Sequence, residues 1–433
     1  MNIATKIALI LIVVAIISSL VAYSYFSLSA KPTPYTTIRI LTVEKTITQT
    51  QFVTLTFTTT QIVTIVPSPS TVVTSTTTSP IQTAFTQRQE AQYIEVVDVL
   101  NRSVKIPKNL SRIVAIGPGA LRLVAYLNAT NLLVGVEQSE LQWGCIGRDY
   151  AMAYCSTIQR LPVIGPGGPR NPPNPEMLMQ VKPQLIVMYR GYVNLYPPDR
   201  LEAEVGVPVL VIDYGTAGYV DIGFLEKALR LLGKALNRDE RAQQLISYID
   251  SVVQDLSNRV KSVREKPTIY IGAISYTGAQ PFTASQSMFA PLVLLNTSSI
   301  VDNLKPGGGY IQVDFEYLLK KQPDYIFIDE NNLNMVLDDF SKNRDQYCSL
   351  NAFKEGRIFG VLPFNYYHTN IATAFADAYF IGKVLYPGAF ADVDPIQKAD
   401  EIFKAFVGKP LYQDFVKNGY QGFVNLSNLF KCG

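Results

Sequence analysis

The residues with the clearest chemical potential stand in one aromatic run that ends at the chain's single histidine, His368. The run reads Pro363-Phe364-Asn365-Tyr366-Tyr367-His368. A neutral imidazole beside two phenols can exchange hydrogen bonds with a ligand, and it can also coordinate the metal of a macrocycle. A lone histidine next to tyrosines is more often a hydrogen-bonding residue that lines a cleft, so both interpretations stay open.

The scarcity of histidine excludes several kinds of site. A site that grips a bare zinc or manganese ion uses several histidines and carboxylates, so we predict no metal site and favour a chelated or macrocyclic ligand. No Gly-x-Ser-x-Gly motif is present and only His368 could serve as an imidazole base, which disfavours a serine hydrolase. A glycosidase that uses two carboxylates is left open.

The longest predicted element is a helix over 239–263, which must help to position these residues. Apolar residues recur at three- and four-residue spacing from Ala242 to Val260, with polar residues on the opposite face. No glycine or proline interrupts the pattern before Pro267. Such a helix is about 35–40 Å long and exceeds the width of a small domain, so each end needs its own support.

A sequence pattern repeated on both sides of that helix predicts the elements that support its two ends. Glu-x-Leu-x-x-x-x-Pro-x-x-Ile occurs at 176–186 and again at 316–326. Each copy predicts a short helix, a proline stop and a buried strand, and strands that alternate with helices favour parallel sheets. We therefore predict an α/β fold in which one long backbone helix joins two similar lobes with parallel sheets.

Two segments precede this body. An apolar run from Ile7 to about Phe26 follows Lys6 and is long enough to cross a bilayer, so we expect an uncleaved anchor over 1–30. A cleaved secretory signal is the alternative, and either one exports the rest. Residues 31–91 are rich in Thr and Ser and predict an extended stalk, with a β-hairpin of the body as the alternative. The body then divides into an N-terminal lobe, linking helices and a C-terminal lobe, over 92–220, 221–265 and 266–433.

The chain has four cysteines without a CxxC pair, which disfavours a zinc site. In an exported chain such well-separated cysteines favour disulfides. We expect Cys145 to pair with Cys155 and close a short loop, and Cys348 to pair with Cys432 and tie down the tail.

Ligands of open parallel sheets bind beyond the carboxyl ends of the strands. Arginines there could bind carboxylate, hydroxamate or catecholate oxygens of a chelate, and aromatic rings could stack on a macrocycle. Packing is the alternative for most tyrosines, and Arg148 could instead hold its loop by pairing with Asp149. The predicted ligand-binding residues are Gly117, Pro118, Trp143, Arg148, Tyr150, Tyr189, Arg190, Tyr276, Phe364, Asn365, Tyr366, Tyr367 and His368.

The chain from about Val97 to Phe423 resembles the periplasmic-type solute-binding proteins of ABC importers that take up ferric siderophores, haem and cobalamin. The resemblance implies two Rossmann-like lobes around a long helix, ligand bound in the cleft and little lobe movement. It also implies that a glutamate of each lobe docks onto arginines of the membrane permease, and Glu176 and Glu316 occupy those positions. A solvated residue near a helix N-terminus is the alternative for both. The resemblance is carried by 104–108 leading into 112–114, by 161–165, by both Glu…Pro…Ile repeats and by 370–387.

We therefore expect a monomeric receptor on the outer face of the cytoplasmic membrane that performs no chemistry and holds no resident cofactor. It would hand an iron chelate, a ferric siderophore, to an ABC permease, with haem or cobalamin as alternative ligands. No Lys/Arg cluster indicates a nucleic-acid surface. Two other classes stay open. Turnover of glycosides would identify a secreted carboxylate-based hydrolase, and a cleft without ligand would identify a stalked adhesion protein.

Overall fold

The computed structural model describes residues 40–46, 54–60 and 92–432. Internal contacts divide the chain into two units, 1–78 and 79–433. In the first unit two strands pair in antiparallel register, β1 (Ile40–Thr46) with β2 (Thr54–Thr60). These stretches of the predicted stalk are therefore paired strands rather than one extended segment. The predicted anchor lies outside the described residues.

The elements of the second unit alternate between strands and helices along most of its length. Its strands are β3 (Tyr93–Val97), β4 (Ser103–Pro107), β5 (Ile113–Ile116), β6 (Leu185–Tyr189), β7 (Val209–Ile212), β8 (Ile269–Gly272), β9 (Ala284–Ser287), β10 (Gly309–Gln312), β11 (Tyr325–Asp329) and β12 (Ile358–Val361). Its helices are α1 (Ala120–Tyr126), α2 (Gln138–Gln142), α3 (Asp149–Ile158), α4 (Pro175–Gln180), α5 (Pro198–Val205), α6 (Ile222–Ala235), α7 (Asp239–Val260), α8 (Ala290–Leu294), α9 (Phe315–Lys321), α10 (Leu333–Lys342), α11 (Arg344–Tyr347), α12 (Asn351–Lys354), α13 (Ile371–Leu385), α14 (Pro395–Val407) and α15 (Tyr412–Lys417). No helix within the described ranges combines the length and the apolar character that crossing a bilayer requires.

Each lobe is built on a three-stranded parallel sheet. The N-terminal sheet has the order β5-β6-β7, and the C-terminal sheet has the order β12-β11-β8. Strands β5, β7 and β8 are buried along their whole length, as expected where helices cover both faces of a parallel sheet. The predicted α/β class with two parallel-sheet lobes is confirmed.

The long helix α7 runs from Asp239 to Val260 and ends three residues before the predicted end. Its apolar stripe is buried, which explains why the periodicity predicted it. Arginines anchor both of its ends. Near the start, Arg241 Nε donates to the Tyr126 carbonyl at 2.9 Å. Near the end, Arg259 Nη1 binds Asp392 Oδ1 at 2.7 Å.

The two repeat copies fold alike down to their backbone angles. Helices α4 and α9 both lead into a residue with a left-handed backbone, Lys182 and Gln322, each with φ 45°. A proline follows in each copy, and the next strand, β6 or β11, occupies the centre of its sheet. The pattern therefore marks equivalent places in two equivalent lobes.

Three local interpretations of the sequence were wrong, namely a strand at 132–136, a loop around Trp143, and a polar loop at 275–288 with a flexible turn at 306–310. The predicted strand at 132–136 is reduced to isolated bridges, Ile113 with Leu133 and Val136 with Val163. The predicted loop around Trp143 contains α2 and α3. Strand β9, within a predicted polar loop, pairs with β10, which begins in a predicted flexible turn. Three of the four residues of β9 are polar yet buried, so no alternation of apolar residues marked this strand.

Both predicted disulfides are present. Cys145 pairs with Cys155, which lies on α3, and Cys348 pairs with Cys432 near the end of the chain. The first disulfide ties the segment between α2 and α3 to a helix, and the second holds the tail against the C-terminal lobe.

The left-handed residues at the repeat junctions generate a stability prediction. Lys182 has an exposed side chain, so replacing it with glycine should relieve backbone strain and raise the free energy of unfolding by about 0.5–1 kcal/mol. Gln322 is the matched control. Its amide binds both the Ser349 carbonyl and the Asn351 N–H, so Gln322→Gly should lose this gain. Urea unfolding of both variants measures the difference, and equal effects would contradict the explanation.

Candidate ligand-binding cleft

The turn after β5 brings the backbone of the N-terminal lobe close to the other lobe. Gly119 has φ 79°, and a Cβ atom built there would lie 1.6 Å from the Tyr214 hydroxyl and 3.1 Å from the Cβ of His368. Only glycine fits this position. The turn therefore acts as a backbone platform on which a loop of the C-terminal lobe can rest.

That loop, which we call the aromatic loop, comprises residues 363–370 between β12 and α13. Tyr367 and His368 are adjacent and both have left-handed backbones, with φ 55° and 81°. The Tyr366 N–H donates to the His368 carbonyl at 3.0 Å and closes a tight turn. Two consecutive non-glycine residues in this region carry strain, and such strain is concentrated at functional sites.

A buried arginine of the N-terminal lobe grips the aromatic loop. Arg122 on α1 is fully buried, and its guanidinium donates to the carbonyls of Tyr366 at 3.0 Å and Tyr367 at 3.2 Å and to Asn370 Oδ1 at 2.6 Å. Asp149 supplies the counter-charge, with Nε to Oδ1 at 3.3 Å. This role was not predicted from the sequence. The available signal was a charged residue within an otherwise apolar helix.

His368 is held as a neutral hydrogen-bonding residue. The Thr369 N–H donates to Nδ1 at 2.9 Å, so the ring proton is on Nε2, which faces the Tyr189 hydroxyl at 3.1 Å and the Gly215 carbonyl at 3.2 Å. Burial and the positive charge of Arg122 lower the pKa of His368 to about 3. Both nitrogens are engaged, which favours the hydrogen-bonding interpretation over coordination of a metal.

A second buried group, Glu137, joins the two lobes by binding both the turn at Gly117 and the aromatic loop. Its Oε2 accepts from the Gly117 N–H at 3.0 Å and from the Tyr367 hydroxyl at 2.6 Å. The Tyr192 hydroxyl lies 3.0 Å from its Oε1 and 2.6 Å from the Gly168 carbonyl. Since Tyr192 has one proton for two acceptors, a protonated Glu137 that donates to Tyr192 satisfies the network.

Burial raises the pKa of Glu137 to about 7, in agreement with this hydrogen-bond count. Two more buried carboxyl groups lie at the end of β11. Burial raises the pKa of Asp329 to about 7 and that of Glu330 to about 8. Glu137 directly follows residues 132–136, which were interpreted as a strand. Its position after a strand was the available sequence signal for its role.

Arg148 and Tyr150 lie in the interior of the N-terminal lobe. Arg148 pairs with Glu140 and donates to the Glu140 carbonyl at 2.8 Å, and the Tyr150 hydroxyl also binds Glu140. The expected alternative partner, Asp149, binds Arg122 instead. Arg148 therefore holds the segment between α2 and α3, as the alternative interpretation proposed, but through a different carboxylate.

Other predicted residues are exposed at the rim of the lobe junction. Trp143 is 37% exposed and packs edge-to-face on Tyr367 with ring centroids 4.8 Å apart. Tyr276 is 53% exposed and stacks on Tyr310, which the sequence analysis missed, at 4.6 Å. The half-exposed Arg190 binds Asp213 at 2.9 Å.

The predicted ligand-binding residues thus separate into three groups, and their ligand contacts stay predictions. The rim group is exposed or half-buried and comprises Pro118, Trp143, Arg190, Tyr276 and Tyr366. The junction group lies where the lobes meet and comprises Gly117, Tyr189, Asn365, Tyr367 and His368. The interior group comprises Arg148, Tyr150 and Phe364, whose ring packs 4.5 Å from Phe289.

The burial of Glu137 predicts a pH dependence of stability. Its pKa lies near 7 in the fold against 4.5 for a free carboxyl, so the folded state binds more protons between these values and loses stability as pH rises through them. The loss should be roughly 3 kcal/mol. Glu137→Gln keeps a neutral, donating side chain and should remove that part of the pH dependence. Urea unfolding at pH 5 and pH 8 compares the two proteins, and parallel curves would contradict the assignment.

The grip of Arg122 predicts a large mutational effect. Arg122→Met leaves Asp149 buried without its counter-charge and should cost about 3–5 kcal/mol of unfolding free energy. Arg190→Gln breaks the half-exposed pair with Asp213 and should cost less than about 1 kcal/mol. Chemical denaturation of both variants tests the contrast, and similar losses would show that Arg122 is not the tie between the lobes.

Comparison with known proteins finds a family model that matches part of this chain. A family model described as periplasmic binding protein matches residues 151–363. An uncharacterized ABC transporter substrate-binding lipoprotein of Bacillus subtilis, YvrC, is 20% identical over 286 residues, which cover 64% of this chain and 81% of the relative. The molybdate-binding protein MolA of Haemophilus influenzae is 23% identical over 329 residues, which cover 72% and 90%. The Fe(3+)-citrate-binding protein YfmC of Bacillus subtilis is 24% identical over 193 residues, which cover 44% and 58%.

Solved structures share the fold. A periplasmic solute-binding protein of Veillonella parvula superimposes with a TM-score of 0.60 at 17% identity, covering 78% of this chain and 98% of that chain. Molybdate-bound MolA superimposes with a TM-score of 0.58 at 18% identity, covering 73% and 98%. The family match over residues 151–363, these relatives and the two parallel-sheet lobes agree, and this part of the chain matches the periplasmic binding protein family.

Proposed function

We propose that this protein is the monomeric solute-binding component of an ABC importer and that it carries a metal chelate in the cleft between its lobes. The observation that carries the proposal is the aromatic loop, which meets the N-terminal lobe at the carboxyl ends of its parallel strands, where ligands of such sheets bind. Exposed aromatic side chains and Arg190 surround this junction. The arrangement suits reversible binding of a solute that has flat or apolar surfaces.

A ferric siderophore is the proposed ligand, with haem or cobalamin as alternatives. Relatives named for molybdate and ferric citrate support a small metal-containing solute. The engaged nitrogens of His368 favour a chelate whose metal is already fully coordinated by its own ligand atoms.

The proposed location is the outer face of the cytoplasmic membrane, with the N-terminal segment as anchor. Two disulfides support export, since such bonds persist in oxidising compartments. A relative named as a substrate-binding lipoprotein supports a membrane-attached receptor.

The two repeat glutamates are the proposed contacts to the permease. Glu176 and Glu316 are exposed and lie in the first turns of the equivalent helices α4 and α9. A surface pocket of about 690 Å³ borders Glu176, with Glu204 also in its wall. Prolines form much of the same wall, so a long basic side chain could lay its alkyl part on them and its charge on the carboxylates.

A spectroscopic titration tests the ligand class. Purified protein is titrated with a ferric siderophore, haem and cobalamin, all of which absorb visible light. A saturable band shift with one of them, together with a rise in melting temperature, would support the function and identify the chelate class. The absence of both responses for all three would contradict the proposed chelate.

Replacing both repeat glutamates tests the docking surface. Glu176→Lys combined with Glu316→Lys should abolish uptake in cells, because like charges would face the permease arginines, while ligand affinity stays within about twofold. Glu240→Lys, an exposed glutamate in the first turn of α7, is the matched control and should leave uptake intact. A loss of ligand affinity in the double variant would contradict a docking role.

A further inference from the structure

The charges around the lobe junction are already balanced within the protein. Arg122 pairs with Asp149, and Arg190 pairs with Asp213. The third guanidinium, that of Arg148, pairs with Glu140. An anionic ligand that bound any of these arginines would have to compete with a carboxylate that is fixed in place and largely buried.

Glu137 makes this balance more negative. It lies under the same turn as Gly117, and the groups that contact it are hydroxyls and a backbone N–H, not a cation. Burial favours its neutral form, and the charge of the Glu140 carboxylate acts in the same direction. The net charge of the junction therefore falls from about zero to negative as Glu137 loses its proton near pH 7.

Two buried amide side chains on the C-terminal side of the junction present acceptors without a donor. Gln286 Oε1 and Asn365 Oδ1 are buried and make no hydrogen bond. Their amide nitrogens donate to the carbonyls of Ser287 and Ser275, each at 3.2 Å, which fixes the oxygen as the unpaired atom in both. Unpaired buried acceptors are costly unless a ligand or water supplies a donor.

Both amides belong to the surface that meets the N-terminal lobe. Asn365 is part of the aromatic loop. Gln286 contacts Gly218 of the N-terminal lobe, since a Cβ atom built at Gly218 would lie 2.7 Å from Oε1. The Gly218 N–H in turn donates to Thr369 Oγ1 in the aromatic loop at 2.7 Å. The two acceptors thus lie along the same seam between the lobes.

The aromatic rim points to the same ligand chemistry. The faces of Trp143 and of the stacked Tyr276 and Tyr310 carry the negative side of the ring quadrupole, which attracts cations and repels anions. Lys305, whose ammonium donates to the Tyr310 carbonyl at 2.8 Å, is exposed, so water and salt screen its charge.

We propose that the cleft selects chelates that are uncharged or cationic and that offer N–H or O–H donors, and that it discriminates against oxyanions and anionic chelates. The proposal rests on the proposed solute-binding function and specifies its ligand. Molybdate, citrate complexes and tris-catecholates present only acceptors and negative charge to a surface of acceptors and neutralised arginines. An uncharged tris-hydroxamate with peptide N–H groups satisfies the seam without a counter-ion.

A charge series of probes tests the selectivity on the full chain. Equilibrium titrations use an uncharged ferric tris-hydroxamate, a monocationic ferric tris-hydroxamate, a trianionic ferric tris-catecholate, ferric citrate and molybdate. The first two should bind at least about tenfold more tightly than any anionic probe. Tighter binding of an anionic probe would overturn the proposal while leaving the solute-binding function intact. Binding of none of the five would overturn the proposal, and the haem and cobalamin titrations would then decide the solute-binding function.

Two variants test the physical cause. Asp213→Asn frees the guanidinium of Arg190 and should shift selectivity towards the tris-catecholate by about tenfold, because one positive charge then lacks its partner. Asp199→Asn, which removes an exposed partner of Arg102 far along the chain from the aromatic loop, is the control and should leave selectivity unchanged. Gln286→Leu should weaken the uncharged chelate by about tenfold. Unchanged selectivity in Asp213→Asn together with unchanged affinity in Gln286→Leu would overturn the proposed cause.

Discussion

The cleft of this protein depends on one buried guanidinium. Arg122 has no access to water, so its charge must be compensated inside the protein, and Asp149 provides that compensation. Its remaining N–H groups are then committed to the carbonyls and the amide of the aromatic loop. A short helix of one lobe therefore determines where the aromatic loop of the other lobe lies.

Several features of the junction follow from that constraint. Arg122 holds this loop by its backbone carbonyls, and the left-handed backbone conformations of Tyr367 and His368 set the direction of their side chains. Their side chains then enter the N-terminal lobe, where Glu137 and Tyr189 receive them. Glycine at position 119 makes room for the approach. Hydrogen bonds between the lobes thus help to set their spacing, in addition to apolar packing.

Most of the architecture was predictable from local pattern, and the site was predictable only in part. The stripe of α7 and the repeated Pro183 and Pro323 junctions are local signals, since periodicity and a proline stop act within a few residues. The disulfides were predicted because the chain was expected to be exported. The roles of Arg122 and Glu137 depend on partners more than 200 residues away along the chain, namely Tyr366 and Tyr367. Local patterns in one sequence do not reveal contacts between residues so far apart along the chain. Rules about strand ends indicated the aromatic loop, whose ligand contacts stay predictions, and they could not separate rim residues from buried ones such as Phe364.

The buried carboxyl groups have a consequence for the surroundings in which this protein works. Glu137, Asp329 and Glu330 each hold their proton far above the range of a free carboxyl, with pKa values of about 7, 7 and 8. Each therefore stabilises the fold in acid and withdraws that support as the medium turns alkaline. His368, whose pKa burial lowers to about 3, acts in the opposite direction, as does Asp392, whose pKa the hydrogen bond from Arg259 lowers to about 2. Because three buried carboxyl groups act in this direction, the fold should be held together best in mildly acidic solution.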